Sequence, residues 1–87
     1  MKIRIYTNIL NDLIDRKEIS VPDDLTLKQL FEFLVERYGA AVRNRIFESD
    51  AITILNGRRI DLTDANQLEA KLREDDSLSI ISAAVGG

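Results

Sequence analysis

Two stretches near the start of the chain alternate between apolar and polar residues. Ile3 and Ile5 alternate with Lys2, Arg4 and Tyr6, and residues 18–21 alternate again before the turn sequence Pro22-Asp23-Asp24. Such alternation places successive side chains on opposite faces of a sheet, so it predicts two strands that each have one buried face. Four apolar residues between these strands recur at helical spacing and predict a short helical turn over one end of the core. They are Ile9, Leu10, Leu13 and Ile14.

The clearest element is a helix over residues 27–38. Thr26 is followed three positions later by Gln29, the spacing of a capping box at a helix N-terminus. Gly39 stands where a helix commonly ends on a glycine. The apolar residues of this segment share one stripe, with Val35 at its edge, so the helix is predicted to pack across a core. The stripe consists of Leu27, Leu30, Phe31, Leu34 and Tyr38.

The second half of the chain predicts a hairpin and a last strand. Residues 40–50 are interpreted as a connection, anchored by three apolar residues. These are Val42, Ile46 and Phe47. Residues 52–55 predict a strand, and Asn56-Gly57 is a strong hairpin signal because both positions of a type I′ turn need positive φ. Residues 58–61 would return as a short strand, and residues 77–81 predict the last strand.

Residues 62–73 are interpreted as a loop with one helical stretch, in which Leu68 and Leu72 are spaced four apart. The order is therefore strand, strand, helix, strand, short strand, strand. Strands gathered around one main helix predict an α+β domain. We expect a mixed sheet of about five strands packed on that helix, the ubiquitin-like β-grasp arrangement.

Composition excludes several classes of function. The chain has 87 residues, which is one small domain. It has no Cys and no His. It can therefore form no disulfide bond and no zinc site with Cys or His ligands, and it has no Cys–His or Ser–His machinery for nucleophilic catalysis. Twelve basic and fifteen acidic side chains give a net charge of −3. This balance argues against binding to nucleic acid or to an anionic membrane.

Charged clusters and the N-terminus suggest no further chemistry. The carboxylates at residues 23–24 and 74–76 are typical of solvated turns, and no calcium-loop spacing surrounds them. The arginines at 43, 45, 58 and 59 fit a solvated face. No apolar run approaches the ~20 residues of a membrane span, and the start of the chain lacks the apolar region of a signal peptide. We therefore expect a cytoplasmic protein with no bound metal.

The last two residues, Gly86 and Gly87, are the most informative part of the sequence. Two glycines in these positions arise by chance about once in 200 chains. They follow the small apolar stretch Ala83-Ala84-Val85. Glycine lets a backbone approach a ligand closely, because it has no Cβ and wide conformational freedom. A thin tail of this kind suits delivery of its terminal carboxylate into the active site of another enzyme, for activation by ATP.

With these features the chain resembles the sulfur-carrier branch of the ubiquitin-like superfamily, and most closely the small subunits of molybdopterin synthase (MoaD/ThiS-like). The matching features cover nearly the whole chain, and the Gly-Gly ending is the most specific of them. They are the strand at residues 2–7, the helix at 26–38, the hairpin at 52–60, the lead from Leu72 through residues 76–80 into the last strand, and Gly86-Gly87.

The resemblance implies a function for the tail. Gly87 would be adenylated by a ubiquitin-activating-type enzyme that uses ATP, and its carboxylate would become a thiocarboxylate supplied by a sulfur donor. The tail would then enter the large subunit of molybdopterin synthase, which transfers the sulfur to a cyclic pterin precursor. Gly86 would permit the close approach, and Ala84 and Val85 would anchor the tail in the partner. The carrier itself would hold no cofactor and no catalytic side chain.

Residues 1–82 are thus expected to form the β-grasp domain and residues 83–87 a flexible tail. The exposed face of the last strand is the expected docking surface, with either Ser79 or Ile80 on it. Two alternatives use the same sequence differently. The first is a ubiquitin-like modifier joined to lysines through Gly87. The second is an interaction module whose Gly-Gly ending is never activated.

Overall fold

The computed structural model describes residues 1–82. The predicted site residues Ala84, Val85, Gly86 and Gly87 lie outside the described residues, as does the predicted tail 83–87. In chain order the elements are β1 (Lys2–Thr7), β2 (Glu18–Ser20), α1 (Leu27–Tyr38), α2 (Ala40–Ile46), β3 (Ala51–Leu55), β4 (Arg58–Ile60), α3 (Ala65–Leu68) and β5 (Ser77–Ser82).

The five strands form one mixed sheet in the order β2-β1-β5-β3-β4. Strands β1 and β5 are parallel, whereas β1 with β2, β3 with β4 and β3 with β5 are antiparallel. The last strand is therefore central, with the first strand on one side and β3 on the other. This arrangement confirms the predicted α+β class and the mixed five-stranded sheet.

Helix α1 packs across one face of the sheet. Its N-terminus has the predicted capping box, because Thr26 Oγ1 accepts from the Gln29 N–H at 3.2 Å and Gln29 Oε1 accepts from the Thr26 N–H at 2.9 Å. At its other end, Gly39 has φ of 106°. The buried stripe of α1 and the inner face of the sheet make the centre of the core. This centre includes Leu27, Leu30, Phe31 and Leu34 from the helix, and Ile3, Ile5, Leu78 and Ile80 from the sheet.

The predicted hairpin is also present. Asn56 and Gly57 have φ of 51° and 82°, and Leu55 pairs with Arg58 across this two-residue turn. Positive φ at both positions is what a type I′ turn requires, and the twist of that turn matches the twist of the flanking strands. The hairpin β3–β4 forms one edge of the sheet.

The interpretation of residues 40–50 as a connection was wrong over its first part, because Ala40–Ile46 is helix α2. The sequence signal for this helix is weak. Gly39 precedes it without a side-chain cap, and only two of its side chains are buried. Those two, Val42 and Ile46, are anchors as expected. Phe47 is not, since 53% of it is exposed.

Two other segments are shorter or simpler than a regular helix. Residues 8–16 contain a single turn, in which the Ile14 N–H donates to the Leu10 carbonyl at 2.8 Å. Both of these residues are buried, so the turn closes one end of the core as predicted. The helical stretch expected within 62–73 is limited to Ala65–Leu68. Leu72 lies beyond the end of this helix. It is buried, and its N–H donates to the Leu25 carbonyl at 2.8 Å.

Candidate functional site

The site begins where the described chain ends, at the C-terminus of the central strand. Ser82 pairs with Ala51 of β3. Its N–H donates to Asn8 Oδ1 at 2.9 Å, and its hydroxyl is 3.1 Å from Asp50 Oδ2. The loop after β1 and the loop before β3 therefore hold the chain at the point from which residues 83–87 continue.

The loop after β1 is fixed to helix α2 by an arginine. Arg45 donates to the Ile9 carbonyl at 3.1 Å and forms a hydrogen-bonded ion pair with Asp12. The hydrogen bond from the Arg45 guanidinium lowers the pKa of the Asp12 carboxyl below its ordinary value. Thr7 Oγ1 accepts from the N–H groups of Ile9 and Leu10, both at 3.1 Å, and so shapes the turn from β1 into this loop. These contacts set the position of the loop that bonds to Ser82.

The side chains of β5 alternate between the two faces of the sheet. Leu78 and Ile80 are fully buried beneath the helices, whereas Ser79 and Ile81 lie on the opposite face and are half-buried. Of the two residues that the sequence left open, Ser79 is therefore the one on the outer face. Residues that pair across neighbouring strands share a face. The register of β5 consequently identifies the other members of that face.

An apolar patch occupies the outer face beside the end of β5. Ser79 pairs with Tyr6 of β1 and with Ile54 of β3, and in the next row Ile81 pairs with Ile52. Tyr6 is 47% exposed, and the three isoleucines are half-buried. We call these five residues the outer patch. Arginines flank it on both sides: Arg4 lies on the same face of β1, and Arg59 pairs with Ile54.

Sequence reasoning missed most of the outer patch because the polarity of β3 is inverted. Ile52 and Ile54 lie on the open face, while Thr53 is 1% exposed and lies against the core. In a strand with one solvated face the isoleucines would normally be the buried residues. In the sequence of β3, the available signal for an exposed apolar surface was therefore a mostly apolar run whose one polar residue, Thr53, takes the inner position.

Within residues 1–82, no His, Cys, Asp and Glu side chains gather in groups of three that could hold a metal ion. The pKa of the Asp61 carboxyl is lowered, because its carboxylate accepts a 2.6 Å hydrogen bond from the Thr63 hydroxyl. No helix in this same part of the chain is long and apolar enough to cross a membrane.

Solved structures show the same fold over nearly the full length of the chain. SAMP1 from Haloferax volcanii matches with a TM-score of 0.69 at 17% identity, with 100% of each chain covered. Subunit 1 of a molybdopterin converting factor from Pyrococcus furiosus matches with a TM-score of 0.69 at 17% identity, covering 95% of this chain and 98% of that one. A chain of the Amycolatopsis orientalis BexX/CysO complex matches with a TM-score of 0.66 at 21% identity, covering 99% of this chain and 98% of that one.

These likenesses define the class of the protein as a ubiquitin-like β-grasp domain, which confirms the predicted fold. The model of the ThiS family matches residues 5–87. The chain therefore belongs to the ThiS family, and its resemblance to the ubiquitin-like sulfur carriers is confirmed. A search among curated proteins gave no significant match.

Proposed function

We propose that this chain is a sulfur carrier that works through a thiocarboxylate on Gly87 and donates its sulfur for the synthesis of molybdopterin. The observation that carries the proposal is the extent of the family match, which runs from residue 5 to residue 87 and so includes both terminal glycines. The described domain supports it, because β5 is the central strand of the sheet and ends at Ser82, five residues before Gly87 in the sequence.

The chemistry has two steps, both in a partner enzyme. The Gly87 carboxylate attacks the α-phosphorus of ATP in a ubiquitin-activating-type adenylating enzyme, and pyrophosphate leaves. A hydrosulfide-level sulfur then attacks the carbonyl carbon, so that a C–S bond forms, the C–O bond to AMP breaks, and AMP leaves with the electron pair. If the sulfur donor carries a persulfide, its outer sulfur attacks the same carbonyl carbon and forms an acyl disulfide. A thiol then cleaves the S–S bond of this intermediate, which leaves the thiocarboxylate on Gly87 and a disulfide between the thiol and the donor.

The outer patch is the surface that we expect the partners to cover. It combines an exposed tyrosine with three half-buried isoleucines, and it lies on the strand that leads to the tail. Apolar and aromatic side chains of this kind commonly carry most of the affinity at the centre of an interface. The adenylating enzyme and the large subunit of molybdopterin synthase would use it in turn, since both must hold the same tail.

The test is reconstitution with the adenylating enzyme from the same cells, ATP and a sulfide source. We expect release of pyrophosphate and AMP, and the exchange of one oxygen for sulfur at Gly87. Fragmentation must locate the sulfur, because oxidation of Met1 changes the intact mass by nearly the same amount. The control is the same chain with one residue added after Gly87, which removes the reacting carboxylate. Sulfur on both forms would contradict the proposal.

The molecule that accepts sulfur from the carrier determines which biosynthetic pathway the carrier serves. Incubation of the thiocarboxylated carrier with the large subunit of molybdopterin synthase and the cyclic pterin precursor should give a dithiolene product. The carboxylate form of the carrier, as the control, should give none. Failure of the thiocarboxylate form in this assay, together with sulfur transfer to a thiazole precursor or to tRNA, would assign the carrier to thiamine synthesis or to tRNA thiolation.

A second candidate function is conjugation to lysine side chains through Gly87. It is favoured by the likeness to the structure named small archaeal modifier protein 1, from Methanosarcina acetivorans, with a TM-score of 0.67 at 17% identity. Fragment masses distinguish the two functions, because a modifier would show an isopeptide link between Gly87 and a lysine. A tail that stays unmodified with ATP and the adenylating enzyme would instead favour the non-activated interaction module.

A further inference from the structure

A second apolar surface lies on the helix side of the sheet, opposite the outer patch. Phe47 is its most exposed member, with 53% of its surface open. The residue is nevertheless held in place. Its N–H donates to the Arg43 carbonyl at 3.1 Å, and its ring meets the ring of Phe31 edge-on at 6.3 Å between centroids. Phe47 is thus an aromatic side chain that contacts the core through Phe31 and is presented to solvent at the end of α2.

Phe47 stands between two grooves. One, of about 600 Å³, separates the end of α2 from the hairpin β3–β4 and is lined by Ile46, Phe47, Ala51, Ile60 and Leu62 among others. We call it the hairpin groove. The other, of about 490 Å³, lies over α1 and is lined by Phe31, Val35 and Leu68 together with Ile46 and Phe47. We call it the helix groove.

The hairpin groove opens beside Ser82, the last described residue of β5. Ala51 lines the groove and is the strand partner of Ser82. Five residues separate Ser82 from the end of the chain, and they span at most about 17 Å when fully extended. An enzyme that holds the Gly87 carboxylate in its active site must therefore lie close to this groove. None of the residues that line the helix groove pairs with β5.

The charges around the hairpin groove suggest what it would contact. Two carboxylates, Glu48 and Asp61, line it together with Arg59, which stands on the edge strand β4 and borders both this groove and the outer patch. Asp50 lies next to Ala51 and bonds to Ser82. The apolar floor is thus bordered by more negative than positive charge, which favours a basic residue on the partner.

We propose that the hairpin groove is a second docking surface for the adenylating enzyme, which inserts an apolar side chain beside Phe47 and places a basic residue near Glu48. The inference rests on the proposed function. The enzyme would hold the base of the tail from both sides of the sheet, through the outer patch on one face and the hairpin groove on the other. Phe47 and Leu62 then act as positioning residues for the activation of Gly87.

The test measures ATP–pyrophosphate exchange by the adenylating enzyme over a range of carrier concentrations. Phe47→Ala should raise the apparent KM for the carrier about tenfold and leave kcat within about twofold, because truncation of an interface aromatic commonly costs a tenfold loss of affinity or more. Glu48→Lys should raise the KM as well, through repulsion of the basic residue. Far-UV circular dichroism and thermal melting show that each variant is folded.

The matched pair is Leu62→Ala and Leu68→Ala. Both leucines are half-buried and pack against the core, but Leu62 lines only the hairpin groove and Leu68 only the helix groove. We expect a raised KM for Leu62→Ala and a wild-type KM for Leu68→Ala. Equal KM values for Leu62→Ala and Leu68→Ala, or a wild-type KM for Phe47→Ala, would overturn this inference and leave the proposed function standing. A wild-type carrier that supports no exchange would overturn the proposed function, and this inference with it.

Discussion

Ile80 and Ile81 are neighbours on β5 that lie on opposite faces of the sheet and in different surroundings. Ile80 is 0% exposed under the helices, whereas Ile81 is half-buried in the outer patch. The helix-bearing face is covered by the chain itself, while the outer face presents apolar residues to solvent. The comparison indicates that apolar residues of the inner face stabilise the fold, and that those of the outer face are available to a partner.

The largest expected effect tests this comparison directly. Ile80→Ala should lower the free energy of unfolding by about 2–5 kcal/mol, because it leaves a cavity in a fully packed core. Ile81→Ala removes the same atoms from the outer face and should cost about 1 kcal/mol. Urea denaturation measures both values. Similar losses for the two variants would mean that the outer face is as important for folding as the inner one.

The next effect concerns binding. Tyr6→Ala should weaken affinity for the adenylating enzyme about tenfold, or about 1.4 kcal/mol, with little change in the thermal midpoint. Lys2→Ala is the matched control, since Lys2 lies on the same face of β1 at the end away from Ser82 and pairs with Ser20. Isothermal titration calorimetry gives the two affinities. If Tyr6→Ala bound as tightly as Lys2→Ala, the outer patch would not be the docking surface.

A smaller effect is expected at Thr53, where the inner face has a polar residue. Its hydroxyl is buried and has no hydrogen-bond partner within residues 1–82. Thr53→Val should raise the free energy of unfolding by about 1 kcal/mol, because the unsatisfied polar atom is removed at similar volume. Chemical denaturation measures the change. A loss of stability would show that the hydroxyl has a stabilising contact in solution.

The smallest effect is a pH dependence from the Asp12–Arg45 pair. The arginine lowers the pKa of Asp12 in the folded state, so the pair contributes stability above the ordinary value of 3.8, and that contribution is lost as the pH falls through the folded value. The pair is exposed, so the contribution is small. The stability difference between wild type and Asp12→Asn should therefore stay constant above about pH 5 and shrink as the pH falls below about 4 toward the folded pKa. A difference that also stays constant over this lower range would contradict the role of the pair.

The elements that could be predicted from sequence are those with strong local signals. The capping box of α1 and the Asn56-Gly57 turn each depend on a few adjacent residues, and both are present in the structure. Helix α2 was missed because it lacks a cap and buries only two side chains. The outer patch was missed because β3 turns its isoleucines to the open face, and also for a second reason. It is assembled from three strands, and its members become neighbours only through the register of the sheet.

The terminal glycines could be singled out from the sequence because the chemistry proposed for them needs no folded neighbours. The contacts at the end of β5 could not be predicted, since Asn8, Asp50 and Ala51 meet Ser82 only through tertiary pairing. Phe47 was expected to anchor the connection over residues 40–50. It lies just past the last turn of α2, where its ring packs against Phe31 and 53% of the residue stays exposed.

The most direct test of the account is the fragment mass of the C-terminal peptide from the protein purified from its own cells. The account predicts that sulfur replaces one oxygen, and that fragmentation places this change on Gly87 and not on Met1. An isopeptide bond between Gly87 and a lysine would contradict the carrier function in favour of a modifier. A tail that is unmodified in cells, and remains so after incubation with ATP, sulfide and the adenylating enzyme, would contradict activation of Gly87 altogether.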